Sequence, residues 1–194
     1  HDDINDKGTL RRGRETVNSR WGRTFALLTG DYLFTRTYEL MAPFSTRLNT
    51  ILARAATELV EGETQQIEAA KKGTLTSALY QEIIAKKTAA LFVGAAELGA
   101  VAAQAGETIV DALNRYGYNL GMAFQIVDDV LDLIADPETL GKNAGIDVQQ
   151  GRGIAVAMQS GSAQGGNTSA TAPVAVSEND LDADAIQNAF GDGM

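Results

Sequence analysis

The chain has no cysteine, one histidine, one tryptophan and three prolines in 194 residues. The missing cysteines exclude a disulfide-stapled secreted scaffold and any thiolate metal site, and they fit a cytoplasmic protein. With His1 the only imidazole, a metal would have to be held by oxygen donors. Basic residues are missing where a polyanion would need them: net charge is −9, and Gly153 to Met194 holds five acidic residues and no Lys or Arg. Without a basic stripe, nucleic-acid binding is not expected, although a few well-placed cations could grip a small phosphate. The most apolar stretch, Ala89 to Ala105, is interrupted by Glu97. It is shorter than the roughly 20 residues of a membrane span and reads as a buried helix. No basic segment followed by an apolar one marks a secretory signal. The chain starts at His1 without an initiator Met, so an N-terminally truncated piece of a longer chain is expected.

What is present is helical periodicity. Phe44, Leu48, Ile51, Ala55 and Leu59 recur at three- and four-residue steps, as do Tyr80, Ile84, Leu91, Gly94 and Leu98. No alternating β-branched run competes, so no strand is expected. Pro43 and Pro137 fall at helix breaks. The expected fold class is all-α, a helical bundle with 44% hydrophobic residues to fill one core. After Arg152 the character changes: Ser160 to Thr171 is Ser, Gly, Ala, Gln, Asn and Thr. Residues 1–152 therefore read as the helical core, and 153–194 as a linker with a short acidic helical tail.

Two clusters share the spacing D-D-x-x-D: Asp2, Asp3, Asp6 and Asp128, Asp129, Asp132. On a helix, positions i and i+4 stack on one face, so Asp2 with Asp6 and Asp128 with Asp132 each present two carboxylates together. Their repulsion is offset when a hard cation such as Mg²⁺ sits between them. In the second cluster Gly117, Gly121, Phe124, Asp128 and Asp132 share a face with Gln125 at its edge, while Ile126, Val130 and Leu133 point the other way. The glycines are expected to clear space in front of the carboxylates. The plain alternative, a solvated acidic face, conflicts with the apolar flanks, because desolvating carboxylates without compensation is costly.

Cations accompany these acids. Arg11 and Arg12 follow the first cluster, and guanidinium forks match phosphate oxygens; a terminal acidic tail with incidental basic neighbours accounts equally well for this segment alone. Lys87 falls within the stripe of Ile84, Leu91 and Leu98, whereas Lys86 points away. A lysine so placed either snorkels or meets an internal anion, and the carboxylates favour the anion. Thr88 beside it adds a hydroxyl. Lys142 sits in the glycine-flanked loop Gly141 to Gly145, with Arg152 beyond. Gly62, inside Glu61-Gly62-Glu63-Thr64-Gln65-Gln66, costs a helix about 1 kcal/mol, and close packing would be a reason to keep it.

In order along residues 1–152, these segments closely resemble the trans-isoprenyl diphosphate synthases, the polyprenyl synthetase family. The resemblance rests on Asp2-Asp3-Ile4-Asn5-Asp6 with Arg11-Arg12-Gly13, Gly30-Asp31, Glu61 to Gln66, Lys86-Lys87-Thr88, Gly121 to Asp132 with Phe124-Gln125, Gly141 to Asp147 and Gly151-Arg152. It implies an isoprenoid synthase-type bundle, here partial, whose two aspartate motifs face each other across a cavity. It implies Mg²⁺ held by Asp2, Asp6, Asp128 and Asp132, and an allylic diphosphate (dimethylallyl, geranyl, farnesyl or longer) held by Arg11, Lys87 and Lys142. Arg12 would hold isopentenyl diphosphate. Thr88 and Gln125 would turn their dipoles toward the developing allylic cation, and Arg152, where the family commonly has lysine, would lie near the diphosphate. The implied reaction is a head-to-tail condensation through an allylic carbocation, in a homodimer, with pyrophosphate taking the final proton.

Departures from the family pattern are the missing upstream helices and the replacement of its usual Thr-Leu-Pro continuation by Ile154 to Met158. Reduced C-terminal helices, an unreadable product length and little activity of these 194 residues alone are expected from them. The competing readings are a class I terpene cyclase and a non-catalytic regulatory subunit of a prenyl synthase.

Overall fold

The structure, a computed structural model, describes residues 1–134, 148 and 150–162, with side chains as far as residue 159. Lys142 and the loop around it lie outside the described residues. A single-turn helix α1 (Asp2–Asn5) leads into a hairpin of β1 (Leu10–Arg11) and β2 (Arg14–Glu15). The helices α2 (Val17–Trp21), α3 (Arg23–Met41), α4 (Thr46–Lys72) and α5 (Ser77–Ile84) follow. A π-helical turn at Ala85–Ala89 joins α5 to α6 (Ala90–Ala102), and α7 (Glu107–Ile134) and α8 (Gly153–Ser162) complete the described elements.

Local chemistry sets the boundaries. The Ser45 side chain accepts a hydrogen bond from Leu48 N to start α4, and Thr76 does the same for Leu79 N at α5. Gly73, at φ +62°, ends α4, and its N–H reaches the carbonyls of Ala69 and Ala70. Lys71 and Lys72 occupy the last turn, the negative end of the helix dipole.

The expected all-α bundle is the fold observed, with α6 packed along both α4 and α7. Its core gathers Ala69, Leu75, Tyr80, Ile83, Ile84, Ile154 and Ala157, and Ile126, Val130 and Leu133 lie against it as the wheel of α7 required. Glycines allow the closest approaches. A Cβ at Gly94 would meet the Cβ of Ala55 at 2.9 Å, and one at Gly62 would lie 2.5 Å from Lys87 N. Gly62 is thus kept for close packing of α4 on the π turn. The arrangement at α7 differs from expectation: a Cβ at Gly117 would lie 2.8 Å from the Phe92 carbonyl oxygen and one at Gly121 2.5 Å from Ala89 Cα. These glycines seat α7 on α6 and the π turn rather than open space before the carboxylates.

Two further features depart from the sequence reading. The hairpin is a strand pair where none was expected. Its two-residue turn, Arg12 (φ +52°) and Gly13 (φ +71°), is left-handed at both positions, the type I′ geometry that matches strand twist. Strands of two residues are too short to display a period of two. The boundary placed after Arg152 falls within packed structure, since α8 begins at Gly153 and buries Ile154, Ala155 and Ala157. By contrast, α3 leaves Phe25, Leu28, Tyr32, Leu33, Tyr38 and Leu40 exposed, with Ala26 its buried residue.

Candidate active site

The two aspartate clusters face a common cavity of about 1080 Å³. One wall is α1 with the hairpin, contributing Asp2, Asp3, Asp6, Arg11 and Arg12. A second wall is the C-terminal half of α7, with Phe124, Gln125, Asp128, Asp129 and Asp132. Glu63 and Gln66 of α4 and Lys87 and Thr88 of the π turn close the side between them, and Leu33, Phe34, Leu59, Val60, Leu91 and Phe92 supply an apolar surface.

The π turn matters for this placement. Neighbours on a regular helix diverge by about 100°, yet Lys87 and Thr88 both line the cavity. A widened turn re-aims side chains at the cost of poorer helix geometry, and such turns recur at functional sites. Lys87 does meet an internal anion: Nζ is 2.7 Å from Glu63 Oε2 and donates to Gln66 Oε1 at 2.8 Å. Glu63 in turn accepts from Asn5 Nδ2 at 3.3 Å, which ties the lysine to the first aspartate turn. Lys86, as expected, points elsewhere and pairs with Glu61 and Glu82, each at 3.4 Å.

On the first wall, Arg11 Nε donates to Asp3 Oδ1 at 2.7 Å, and its NH2 lies 4.0 Å from Asp2 Oδ2. The Arg11 guanidinium is held above its usual range, chiefly by the hydrogen bond to Asp3, with burial opposing and the charges of Asp3, Asp2 and Asp6 adding. Asp6 follows α1 in helical conformation, so Asp2 and Asp6 stand one turn apart as predicted. Arg152 NH1 donates to Asp6 Oδ1 at 2.5 Å. Only 8% exposed, Arg152 sits behind the cavity wall rather than on it. His1, passed over in the sequence, lies 3.0 Å from Asp31 and packs on Gly30.

On the second wall Asp132 is 1% exposed and Asp129 5%, whereas Asp128 is half-buried. Asp129 was not singled out by the i, i+4 argument, which selects the first and third acids, yet three hydrogen bonds hold it. Its Oδ2 accepts from Tyr80 OH at 2.8 Å and from Ile154 N at 3.1 Å, and its Oδ1 accepts from Gln125 Nε2 at 2.7 Å. Burial pushes its carboxyl above the usual carboxylate range, while the bonds from Gln125, Tyr80 and Ile154 pull it back. Gln125 Oε1 accepts from Thr88 Oγ1 at 2.7 Å, so Thr88 and Gln125 are brought together directly.

The donor chemistry suits a hard cation: carboxylate oxygens lie on both walls, and the one imidazole, His1, is engaged by Asp31 and the Leu27 carbonyl. Among the described residues, however, no group of three or more acidic or histidine side chains is gathered closely enough to hold a metal. Asp3 and Asp6 are instead engaged by Arg11 and Arg152.

The family model described as "Polyprenyl synthetase" matches residues 1–190, beyond Arg152, where the recognisable motifs end. The chain is 43% identical over 152 residues to "Heptaprenyl diphosphate synthase component 2" of Geobacillus stearothermophilus, covering 78% of this chain and 48% of that protein. Among solved structures it is similar to a polyprenyl synthase from Caulobacter crescentus complexed with calcium and isoprenyl diphosphate (TM-score 0.78, 43% identity, 84% of this chain and 51% of that one). It is also similar to a geranylgeranyl pyrophosphate synthase from Corynebacterium glutamicum complexed with isoprenyl diphosphate and magnesium (TM-score 0.74, 28% identity, 81% and 50%). The chain spans about half the length of the relatives it matches. Two aspartate clusters lining one cavity of an all-α bundle, matched by the family over nearly every residue, place this chain in the polyprenyl synthetase family.

Proposed function

We propose that the chain carries the catalytic half of a trans-prenyltransferase that condenses isopentenyl diphosphate head-to-tail with an allylic diphosphate. The observation behind this reading is the convergence of Asp2, Asp6, Asp128 and Asp132 with Arg11, Arg12, Lys87, Thr88 and Gln125 on one cavity with a polar and an apolar side. Mg²⁺ held by Asp2, Asp6, Asp128 and Asp132 would add positive charge beside the diphosphate as its allylic C–O bond breaks. Arg11 and Lys87 exchange Asp3 and Glu63 for phosphate oxygens and stabilise the leaving pyrophosphate. Lys142 and Arg152 belong to the same proposal, Arg152 through its grip on Asp6. Arg12, at the exposed hairpin turn, receives the second diphosphate. Thr88 and Gln125 face the carbon side of the broken bond and stabilise the allylic cation until the isopentenyl double bond attacks and a proton leaves with pyrophosphate. Leu91, Phe92 and Phe124 line the path for the growing chain.

The same reading includes a cytoplasmic homodimer, supported by the exposed apolar residues of α3 and by the finding that no described helix is long and apolar enough to cross a membrane. One relative is named "component 2" of its synthase. That name favours, as a second reading, a chain that works only with a partner protein.

The test is incubation of the 194-residue chain, and in parallel of a longer protein containing it, with labelled isopentenyl diphosphate, a series of allylic diphosphates and Mg²⁺. A longer prenyl diphosphate is expected from the longer protein and little from the chain alone. A cyclic hydrocarbon would replace the proposal with a cyclase. Product that forms only after a partner is added would establish the second reading.

A further inference from the structure

Polarity alone orients the network behind Thr88. The Asp129 carboxylate can only accept, so the side of Gln125 that meets Oδ1 at 2.7 Å is its NH2 group. The carbonyl oxygen of Gln125 is thereby turned to Thr88, and the 2.7 Å contact between them requires the Thr88 hydroxyl to donate. With that proton committed, the hydroxyl presents lone pairs to the rest of the cavity. Were the Gln125 amide reversed, its NH2 would donate to Thr88, and the threonine would be free to aim a positive hydrogen into the same space. One amide flip therefore inverts the sign of the dipole lining the cavity at Thr88.

We propose that Asp129 is a positioning residue: held by Tyr80 and by the N–H of Ile154, it fixes the Gln125 amide and so makes the Thr88 hydroxyl an electron-rich face for a cationic carbon. This rests on the reading that Thr88 and Gln125 face an allylic cation. Three anchors hold Asp129 itself. Tyr80 is buried in the core, Ile154 N belongs to the first turn of α8, and Gln125 lies one turn before Asp129 on α7. A backbone N–H cannot be reversed, so whatever replaces the carboxylate must keep an oxygen at the Oδ2 position.

That constraint makes Asp129→Asn a sharp test. Its oxygen must face Ile154 N and Tyr80 OH, which turns its NH2 toward Gln125. Gln125 must then present its carbonyl to residue 129 and its NH2 to Thr88, the inverted arrangement, in an isosteric side chain. Tyr80→Phe is milder, removing one donor and leaving the polarity of Asp129 intact.

The experiment has two readouts on wild type, Asp129→Asn and Tyr80→Phe. In the ligand-free chain, NMR contacts between the Gln125 side-chain NH2 protons and Thr88 are expected only in Asp129→Asn. Affinities are then measured for two diphosphates of the same shape, one with a quaternary ammonium at the cationic carbon and one with a neutral carbon there. Wild type is expected to prefer the cation. Asp129→Asn should lower the cation-to-neutral ratio by roughly tenfold, the scale of one hydrogen bond to a charge, and Tyr80→Phe by a factor of about 2. A merely structural role would weaken both ligands alike and leave the ratio unchanged, which overturns the proposal. So does an unflipped Gln125 amide in a folded Asp129→Asn protein. No preference for the cation in wild type, with the amide oriented as described, would instead remove the reading of Thr88 and Gln125 as cation-facing. If neither diphosphate binds, the diphosphate site is refuted, and the amide orientation still decides the role of Asp129. Should Asp129→Asn fail to fold, the Tyr80→Phe ratio alone decides.

Discussion

The same five-residue pattern occurs on both walls of the cavity and is used in two different ways. At the start of the chain, Asp2, Asp3 and Asp6 ride on a single helical turn followed by a hairpin, and Asp2 and Arg11 remain largely in solvent. In α7 the equivalent residues lie on a helix of 28 residues, and Asp129 and Asp132 are nearly sealed. Asp2 and Asp3 are met by the half-exposed guanidinium of Arg11. Buried Asp129 is answered by fixed donors: a tyrosine, an amide and the N-terminus of another helix. A shared spacing therefore says which residues stand together on a helix face, while burial decides which of them also hold the fold. Asp2, Asp3 and Arg11 of the first wall can rearrange around a ligand at little cost, whereas Asp129 of the second is preorganised.

The largest effect expected is on turnover. In a longer, active protein, Asp128→Ala and Asp2→Ala should each lower the metal-dependent rate by about 10²-fold or more, since each removes a carboxylate proposed to hold the Mg²⁺ that stabilises the leaving pyrophosphate. Near-normal steady-state rates in either would break the symmetry of function proposed for the two walls. Stability should then separate them. Asp129→Ala leaves the Tyr80 hydroxyl, the Ile154 N–H and the Gln125 amide facing a cavity, a loss of about 3–5 kcal/mol. In a chain of this size the melting temperature would fall on the order of 10 °C, and calorimetry reads it directly.

How far these differences were legible follows from the distance over which each is determined. The long helices, the core-facing Ile126, Val130 and Leu133, and the stacking of Asp2 with Asp6 repeat within one or two turns, and the wheel displayed them. So did the inward position of Lys87, though not its partner Glu63, which comes from another helix. The packing of α8 was hidden because its N-terminal partner, Asp129, lies 25 positions upstream. A short Ile-Ala-Val-Ala run before a Gly/Ser segment carries no local sign of that contact. Gly117 and Gly121 were placed on the right helix face, but the surface opposite them belongs to Phe92 and Ala89, which a wheel does not contain. For Thr88 the wheel offers only a hydroxyl beside Lys87, because its partner Gln125 lies 37 positions away.

Those glycines give the next smaller effect. Gly121→Ala would place a methyl 2.5 Å from Ala89 Cα, and backbone must move to admit it. About 1–3 kcal/mol of destabilisation is expected from overpacking, less any gain from replacing a helical glycine. Because the displaced segment carries Thr88, the variant should also disturb the Gln125 contact. A chemical-shift change at the Gln125 amide that is absent from Gly99→Ala, where nothing lies within 4 Å, checks that the effect comes from the seat of α7 rather than from helix propensity.

The smallest effect belongs to the exposed wall. Asp3→Ala removes the carboxylate 2.7 Å from Arg11 Nε, a pair whose arginine side chain is 55% exposed. Solvent screening limits such a pair to under about 1 kcal/mol, so thermal stability should barely move. Binding should respond in the opposite direction from a loss of structure. In the ligand-free protein Asp3 competes for the guanidinium that the proposed function assigns to an allylic diphosphate, and removing the competitor should strengthen inorganic pyrophosphate binding by about 2–5-fold, the scale of a surface ion pair. The gain should shrink as salt is raised, because the interaction it releases is one that salt already screens. Titration calorimetry with pyrophosphate at low and high ionic strength measures both. Weaker binding in Asp3→Ala at low salt would mean that Asp3 orients Arg11 for the ligand instead of occupying it, and the contrast between an adjustable first wall and a rigid second one would have to be given up.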